Sequence, residues 1–216
     1  MPYIVFCIDN KGITSFSNVT FPANVNKVTA TNNSLVDLIG LPSTVDYLDV
    51  SNNATLTSLN GMSNNVRTFK GNNCNLSSLQ YMSTAVIDVE VNNNNLTSCQ
   101  YLEFCTLLQN LSINDNSISS LEYTTNIGSL MEIKIENNSL SNFAHVPTNI
   151  YKLYANGNPI NTLVDINSLV ILETLQISGN LLASYADIPA SVKFFEDIGG
   201  TGDVATFPST VWEIRL

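Results

Sequence analysis

Residues 25–38, Val-Asn-Lys-Val-Thr-Ala-Thr-Asn-Asn-Ser-Leu-Val-Asp-Leu, carry apolar side chains at positions 1, 4, 6, 11 and 14 of the segment and asparagine at position 9. The same template recurs further along the chain, starting at Val45, Val66, Val86, Leu108, Leu130, Ile150 and Leu172. Successive starts lie roughly 20–22 residues apart, and a fixed period of this length is typical of proteins built from stacked repeats. The sequence therefore predicts a solenoid in which each turn, called a coil below, contributes one short strand.

Position 9 of the coils holds a nearly invariant residue type. An amide side chain both donates and accepts hydrogen bonds, so a buried asparagine at a sharp turn can satisfy backbone groups of its own coil and of the next one. A cysteine at this position is a weaker substitute because its thiol hydrogen-bonds poorly. We therefore predict a structural ladder whose rungs are Asn33, Asn53, Cys74, Asn94, Asn116, Asn138, Asn158 and Asn180.

The template Leu-x-x-Leu-x-Leu-x-x-(Asn or Cys)-x-Leu resembles the leucine-rich-repeat family over nearly the whole chain. Steps of the form apolar-Pro-x-x-apolar, such as Leu41–Val45 and Val146–Ile150, resemble the short bacterial repeats found in some secreted effectors. The resemblance implies a solenoid of the α/β horseshoe class that is predominantly β, with a parallel sheet on its concave face. Proline fixes φ and disfavours a helix interior, so the convex side should be extended or form 3₁₀ turns.

The division of the chain follows the quality of the match. We expect a single leucine-rich-repeat domain over residues 1–216, with an irregular N-terminal coil at 1–24, regular repeats at 25–191 and an irregular C-terminal coil at 192–216. The longer coils should hold a turn of 3₁₀ or α-helix within 101–108, 123–130 and 164–172. Asp197 occupies a nominally inward position of the last coil, and Gly200 occupies its position 9.

Composition excludes several kinds of partner. A net charge of −10 with only eight basic residues argues against binding to nucleic acid or to an anionic membrane. No apolar run has the length of a membrane span, and the N-terminus lacks the features of a signal peptide. The four cysteines show no disulfide or zinc spacing, so we expect them reduced. This favours a protein that is cytoplasmic or assembled inside a cell, for example into a virion.

Residues suited to chemistry are sparse. The single histidine, His145, has no accompanying motif for a nucleophile or an acid. Residues 199–202, Gly-Gly-Thr-Gly, lack the lysine of a phosphate-binding loop. We therefore predict no catalytic, metal-binding or cofactor-binding residues, and a protein that is not an enzyme.

The surface offers the remaining candidates, because side chains alternate along a strand and positions 3, 5 and 7 should form the exposed concave face. There we expect an acidic patch around the neutral strand at Asn110, partly offset by Lys134, and aromatic area near the C-terminal end. The candidate partner-binding residues are Tyr47, Asp88, Glu90, Glu132, Glu136, Tyr151, Tyr154 and Phe194.

Three functions fit these features. The first is a non-catalytic module that binds another protein on its concave face. The second is an accessory structural component of a virion or other large assembly, in which neighbouring subunits cover the terminal strands. The third is a receptor for a polar ligand or glycan. At the ends of the sheet, near residues 3–8 and 211–216, the strands would pair with another chain, or Phe194, Phe195 and Phe207 would cover the last one.

Overall fold

The computed structural model describes residues 4–203 and 207–216, so Tyr3 of the expected first strand lies outside the described residues. The described residues form one parallel sheet of eleven strands in chain order, where about ten were predicted. The strands are β1 Val5–Cys7, β2 Lys27–Thr29, β3 Tyr47–Asp49, β4 Thr68–Lys70, β5 Asp88–Glu90, β6 Asn110–Ser112, β7 Glu132–Lys134, β8 Lys152–Tyr154, β9 Thr174–Gln176, β10 Phe194–Glu196 and β11 Glu213–Arg215. The predicted fold class is confirmed.

Among the described residues, the return segments consist of turns, bends and irregular chain with short 3₁₀ turns. The 3₁₀ turns are Phe16–Asn18, Leu102–Phe104, Glu122–Thr124 and Val164–Ile166, and the last three lie in the longer coils where the sequence predicted them. Among residues 4–203 and 207–216, no helix has the length and apolarity that a membrane crossing needs.

The core follows the apolar template. Val25, Val28 and Ala30 have no exposed surface, whereas Lys27 and Thr29 between them are half-buried on the concave face. Neighbouring strands pair in register, so Val28 lies beside Leu48 and each buried side chain packs on its counterpart in the next coil. Each fully buried Val or Leu contributes roughly 1.5–3 kcal/mol relative to an exposed one. The core is therefore a continuous apolar column under the sheet.

Position 9 connects the coils through hydrogen bonds. The Asn53 amide donates to the carbonyl oxygens of Ala30 at 3.0 Å and Val50 at 2.7 Å, and its Oδ1 accepts from the backbone N–H of Leu35 at 3.0 Å. Val50 belongs to the same coil, and Ala30 and Leu35 belong to the preceding one. The rungs thus bind back to the preceding coil, whereas the sequence analysis expected them to reach forward to the next. The same bonds occur at Asn33, Asn94, Asn116, Asn138, Asn158 and Asn180.

The coil that starts at Val45 departs from the predicted template. Thr55, its expected apolar position 11, is exposed, and Leu56 is buried in its place because the turn after Asn53 contains one extra residue. The backbone N–H of Leu56 donates to the Asn53 carbonyl oxygen at 2.9 Å. The next rung is Cys74, whose thiol has no amide oxygen to accept that N–H. The extra residue therefore gives the Leu56 N–H an acceptor that the cysteine rung cannot supply.

Position 8 has a left-handed backbone in every coil. Its residues all have positive φ: Asn10, Asn32, Asn52, Asn73, Asn93, Asp115, Asn137, Gly157, Gly179 and Gly199. Glycine adopts this conformation freely, and Asn and Asp tolerate it better than other side chains do. This column explains why most rungs are preceded by another asparagine. It turns the chain out of the strand and aims the position 9 amide into the stack.

The coil that starts at Val192 closes differently. Asp197 takes the inward position 6, is 1% exposed, and accepts a hydrogen bond at 2.9 Å from the Tyr185 hydroxyl, which belongs to the preceding coil. A Cβ at Gly200 would lie 2.2 Å from Asp197 Oδ2, and one at Gly202 would lie 2.7 Å from the Tyr185 ring. These glycines are required by the close approach of Tyr185 and Asp197.

The aromatic cover of the last strand, one of the two alternatives drawn from the sequence, does not form. Phe195 and Phe207 pack on the Tyr185 ring, with centroid separations of 5.2 and 4.9 Å, inside the coil beneath β11. Phe194 faces the concave side, where the Arg215 guanidinium lies 5.0 Å from its ring centroid. All three residues of β11 remain exposed. The rings are used to pack the interior of the last coils because Asp197 and the glycines leave it short of apolar side chains.

Candidate interaction surfaces

The concave sheet contains a groove of about 690 Å³ that crosses β3 to β7. Strands β4 to β7 contribute the side chains at positions 3 and 5, which the strand alternation directs away from the core. Strand β3 contributes Tyr47 at position 3, and Asn92 and Asn114 contribute from position 7. The groove brings together four of the eight predicted partner-binding residues, namely Tyr47, Asp88, Glu90 and Glu132. Glu136, Tyr151, Tyr154 and Phe194 lie outside its lining.

The predicted acidic patch is balanced by more cations than the sequence analysis counted. Lys70 pairs with Glu90 at 2.8 Å, and Glu132 lies 3.1 Å from Lys134 and 3.7 Å from Lys152. The hydrogen bond to Glu90 raises the pKa of Lys70 above its usual value, so this lysine stays charged. These pairs are partly exposed and therefore contribute little stability. Their effect is to hold charges of both signs in fixed places along the groove.

Amide groups hold the two remaining carboxylates of the patch. Asp88 accepts from the Asn110 amide at 2.6 Å, and Glu136 accepts from the Asn114 and Asn156 amides at 3.0 and 2.6 Å. At the other end of the groove, the Lys27 ammonium lies 3.9 Å from the ring centroid of Tyr47. Burial raises the pKa of Tyr47, and the carboxylates of Asp49 and Glu90 act in the same direction. The Tyr47 hydroxyl is therefore neutral at physiological pH.

The asparagines at position 7 form a second ladder, on the concave face, which the sequence analysis missed. The backbone N–H of Asn92 donates to Asn72 Oδ1 at 2.8 Å, that of Asn114 to Asn92 Oδ1 at 2.7 Å, and that of Glu136 to Asn114 Oδ1 at 2.8 Å. These amide oxygens are therefore occupied by the backbone of the next coil. The sequence does not identify this row as structural, because half-buried asparagines carry no apolar pattern that marks them.

Comparison with solved structures shows the same architecture elsewhere. An internalin (InlF) from Listeria monocytogenes matches with a TM-score of 0.64 at 16% identity, over 89% of this chain and 54% of that chain. YopM from Yersinia enterocolitica matches with a TM-score of 0.70 at 18% identity, over 90% of this chain and 47% of that chain. The fold is that of a leucine-rich-repeat protein. The chain spans about half the length of each of these two proteins.

A third leucine-rich-repeat match comes from an octameric complex of latrophilin 3, Unc5D and FLRT2, with a TM-score of 0.50 at 16% identity over 88% of this chain and 79% of that chain. No protein-family model and no curated protein matches the sequence. At these identities the likeness establishes the leucine-rich-repeat fold alone.

The predicted aromatic area is divided by the fold. Tyr154 on β8 and Phe194 on β10 both face the concave side, but β9 lies between them. The Lys134 ammonium lies 5.7 Å from the Tyr154 ring centroid, so this tyrosine borders the groove. Tyr151 precedes its strand and lies at the edge of the repeat stack, where its hydroxyl hydrogen-bonds to Glu173. The three rings therefore belong to different surfaces.

Charge divides the leucine-rich-repeat solenoid into two faces. Of the eight Lys and Arg residues, all except Lys11 occupy strand positions 2, 3 or 5: Lys27, Arg67, Lys70, Lys134, Lys152, Lys193 and Arg215. The return segments carry carboxylates, among them Asp37, Glu103, Glu122, Asp165 and Asp187. Comparing the same column in successive coils would have shown this separation from sequence. The face with mixed charge is thus the sheet, and the convex side is acidic.

An apolar patch at the edge of the sheet was also missed. A depression of about 520 Å³ is lined by Tyr151, Val170, Ile171, Glu173, Ser191 and Lys193. Val170 is 81% exposed, and Trp212, in the coil that follows the coil of Lys193, is also 81% exposed. We call Tyr151, Val170, Ile171, Glu173, Lys193 and Trp212 the rim patch. Its signal in the sequence was weak because return segments have no alternation that tells which side chains point outward.

Proposed function

We propose that this chain is a non-catalytic protein-binding module that docks another protein in the groove between β3 and β7. The observation that carries the proposal is the groove itself, whose volume of about 690 Å³ is lined by side chains of both charge signs. Short strands in strict register make its floor rigid, and a rigid site binds with less loss of conformational entropy. Among the proteins of the same fold, FLRT2 occurs in a complex with latrophilin 3 and Unc5D.

The distribution of charge supports the sheet as the recognition face. Ion pairs such as Lys70–Glu90 keep alternating charges in fixed positions, and fixed charges favour partners with the complementary pattern over others. The acidic convex side offers no such alternation and repels acidic surfaces. Tyr47 adds a ring at one end of the groove, and tyrosine is enriched among residues that dominate binding energy.

Two alternatives rest on other parts of the molecule. A structural role in a virion or other assembly would use the exposed side chains of β11 and the edge of β1. A polar-ligand or glycan receptor would use the rows of Asn, Ser and Thr on the concave face. The position 7 oxygens of Asn72, Asn92 and Asn114 already accept backbone hydrogen bonds, so this row offers a glycan fewer free acceptors than its composition suggests.

Site-specific photocrosslinking in the native cell tests the proposal. A photoreactive residue would replace Asn110 on the groove floor in one variant and Asn126 on a return segment in the other, since both are exposed. We expect a protein to be crosslinked from position 110 and not from position 126. The charge reversal Asp88→Lys should abolish that product. Identical products from both positions, or a product that Asp88→Lys leaves unchanged, would contradict docking in the groove.

A further inference from the structure

We propose that the rim patch is a self-association surface through which two copies of this chain form a two-fold symmetric dimer. The occupant of the patch is a second copy, and the proposal is independent of the partner that the groove binds. The argument rests on the exposure of the patch, the order of its side chains and their charge.

The rim patch exposes large side chains that a lone soluble domain would normally cover. Trp212 and Val170 are each 81% exposed, and Ile171 is 42% exposed beside the depression of about 520 Å³. Large apolar side chains exposed beside a depression mark interaction surfaces. Tryptophan and tyrosine are also the side chains that most often dominate interface energies.

The side chains of the patch are held in a row. The row contains the position 2 residues of four successive coils, namely Tyr151, Glu173, Lys193 and Trp212. From Glu173 onward, the backbone N–H of each residue donates to the carbonyl oxygen of the row residue in the preceding coil, at 2.8–2.9 Å. The Tyr151 hydroxyl and the Lys193 ammonium both bond to the Glu173 carboxylate. The Lys193 ammonium lies 5.6 Å from the Trp212 ring centroid. A row organised in advance loses little entropy when it is covered.

The order of the row is self-complementary. A two-fold axis that lies in the plane of the interface, perpendicular to the row and midway between Glu173 and Lys193, reverses the row of the second copy. Glu173 then faces the second copy's lysine at 193 and Lys193 faces its glutamate, while Tyr151 and Trp212 face each other at both ends. An isologous interface requires this correspondence, in which each residue meets its counterpart twice.

Size predicts the strength of the dimer. The row spans three coil steps, or about 14 Å at ~4.8 Å per step, so the surface that each copy can bury around it is small. A stable interface buries about 800 Å² on each partner, so this one should be weak and dependent on concentration. The net charge of −10 on each copy also opposes association, although salt at ~0.15 M screens charges beyond about 8 Å.

Sedimentation equilibrium at this salt concentration, from about 10 µM to about 1 mM protein, tests the dimer. We expect the average mass to rise from 23.5 kDa towards twice that value. Trp212→Ala should weaken the dimer at least about tenfold. Glu173→Lys and Lys193→Glu should each weaken it by a similar factor, because each places like charges opposite one another twice.

An equimolar mixture of Glu173→Lys and Lys193→Glu is the decisive sample. In the mixed dimer every facing pair regains opposite charges, so the affinity should return, which a merely misfolded variant could not achieve. The matched controls are Lys70→Glu and Glu90→Lys, which break an ion pair of the same kind in the groove and should leave the dimer unchanged. A wild-type chain that stays monomeric at about 1 mM, or a mixture that fails to recover, overturns the proposal. Either result leaves the groove hypothesis intact.

Discussion

The middle coils and the coil that starts at Val192 stabilise their turns with different side chains. In the middle, a position 9 amide such as Asn138 bonds to its own coil and to the preceding one. In the last coil, position 9 is Gly200, and the interior instead holds Asp197 bonded to Tyr185. The Asn rung satisfies its polar atoms, whereas Asp197 Oδ1 is buried without a hydrogen-bond partner among the described residues. The comparison shows that the position 9 amide allows successive coils to stack with the same hydrogen bonds.

Burial changes the ionisation of a side chain in the last coil and of none in the Asn rungs. The Asn rungs are neutral, so burying them does not involve a proton. Burial raises the pKa of Asp197 above its usual value, with the Tyr185 hydrogen bond acting in the other direction. Burial also raises the pKa of Tyr185 to about 12, so this hydroxyl remains a donor. The last coil therefore contains a buried carboxyl group whose contribution to stability depends on pH.

The largest expected effect comes from removing a rung. Asn138→Ala leaves the Ile118 N–H without the acceptor that it has at 2.8 Å, and it removes one of the two amides that donate to the Ile113 carbonyl, where the Asn116 amide remains. Unsatisfied buried groups of this kind cost about 1–3 kcal/mol, so the urea midpoint should fall clearly. Asn142→Ala, at an exposed position of the same coil, should be nearly neutral. Equal midpoints for the two variants would contradict the rung assignment.

The match between Cys74 and the extra residue of the preceding coil predicts a coupling. Deleting Ala54 shortens that coil to the regular length and places a position 11 N–H opposite a thiol that cannot accept it well. Cys74→Asn should restore the acceptor, so the double variant should be more stable than the deletion by about 1–2 kcal/mol. Cys74→Asn alone should gain little, because the Leu56 N–H already bonds to Asn53. A double-mutant cycle in urea with no coupling would contradict this match.

Asp197 predicts a pH dependence confined to the last coil. Its pKa is raised in the folded state, so its contribution to stability is full below the unfolded pKa of about 3.9 and is lost as pH rises through the folded pKa. Amide hydrogen exchange near residues 198–203, corrected for the intrinsic rate, should show more opening at pH 7 than at pH 4. Asp197→Asn should remove this difference. Opening that does not change with pH in the wild-type chain would show that Asp197 stays in one protonation state.

The smallest effect is expected from Gly179→Asn at position 8, where the middle coils carry Asn and the later ones Gly. A Cβ at Gly179 would have its nearest neighbours at 3.7 Å, so there is space for a side chain. Its φ of 72° is tolerated by Asn and not by a β-branched residue. Gly179→Asn should change stability by less than about 0.5 kcal/mol, and Gly179→Val should cost about 1–2 kcal/mol. Thermal unfolding of the two variants measures the contrast.

The fold was predictable because one physical requirement repeats with the period of the coil. Apolar positions 1, 4 and 6 and the amide at position 9 follow from packing each coil on the next, so they recur wherever a coil is regular. The departure at Leu56 was not predictable, because one inserted residue changes the register and leaves the composition the same. The column of Asn, Asp and Gly at position 8 was present in the sequence, and its meaning required the backbone conformation.

The candidate site was predictable only in part. The concave position of Tyr47, Asp88, Glu90 and Glu132 followed from alternation along the strands. The balance of their charge did not, because Lys70 and Glu90 are far apart in sequence and meet only when the strands of two coils pair. The rim patch depends on Val170 and Ile171, which lie in a return segment where direction is set by tertiary packing. Sequence patterns therefore located the groove better than they described its chemistry.

The uniform junction between regular coils has a consequence for how such a chain can change length. Each rung meets the preceding coil through the same backbone atoms, so duplicating one coil within the gene creates a junction already present in the molecule. One duplication would lengthen the groove by about 4.8 Å without a new type of contact. The junction between the coils of Asn53 and Cys74 is the exception, because each of those coils is fitted to the other. Duplications that preserve reading frame and period should therefore be tolerated everywhere among the regular coils except there.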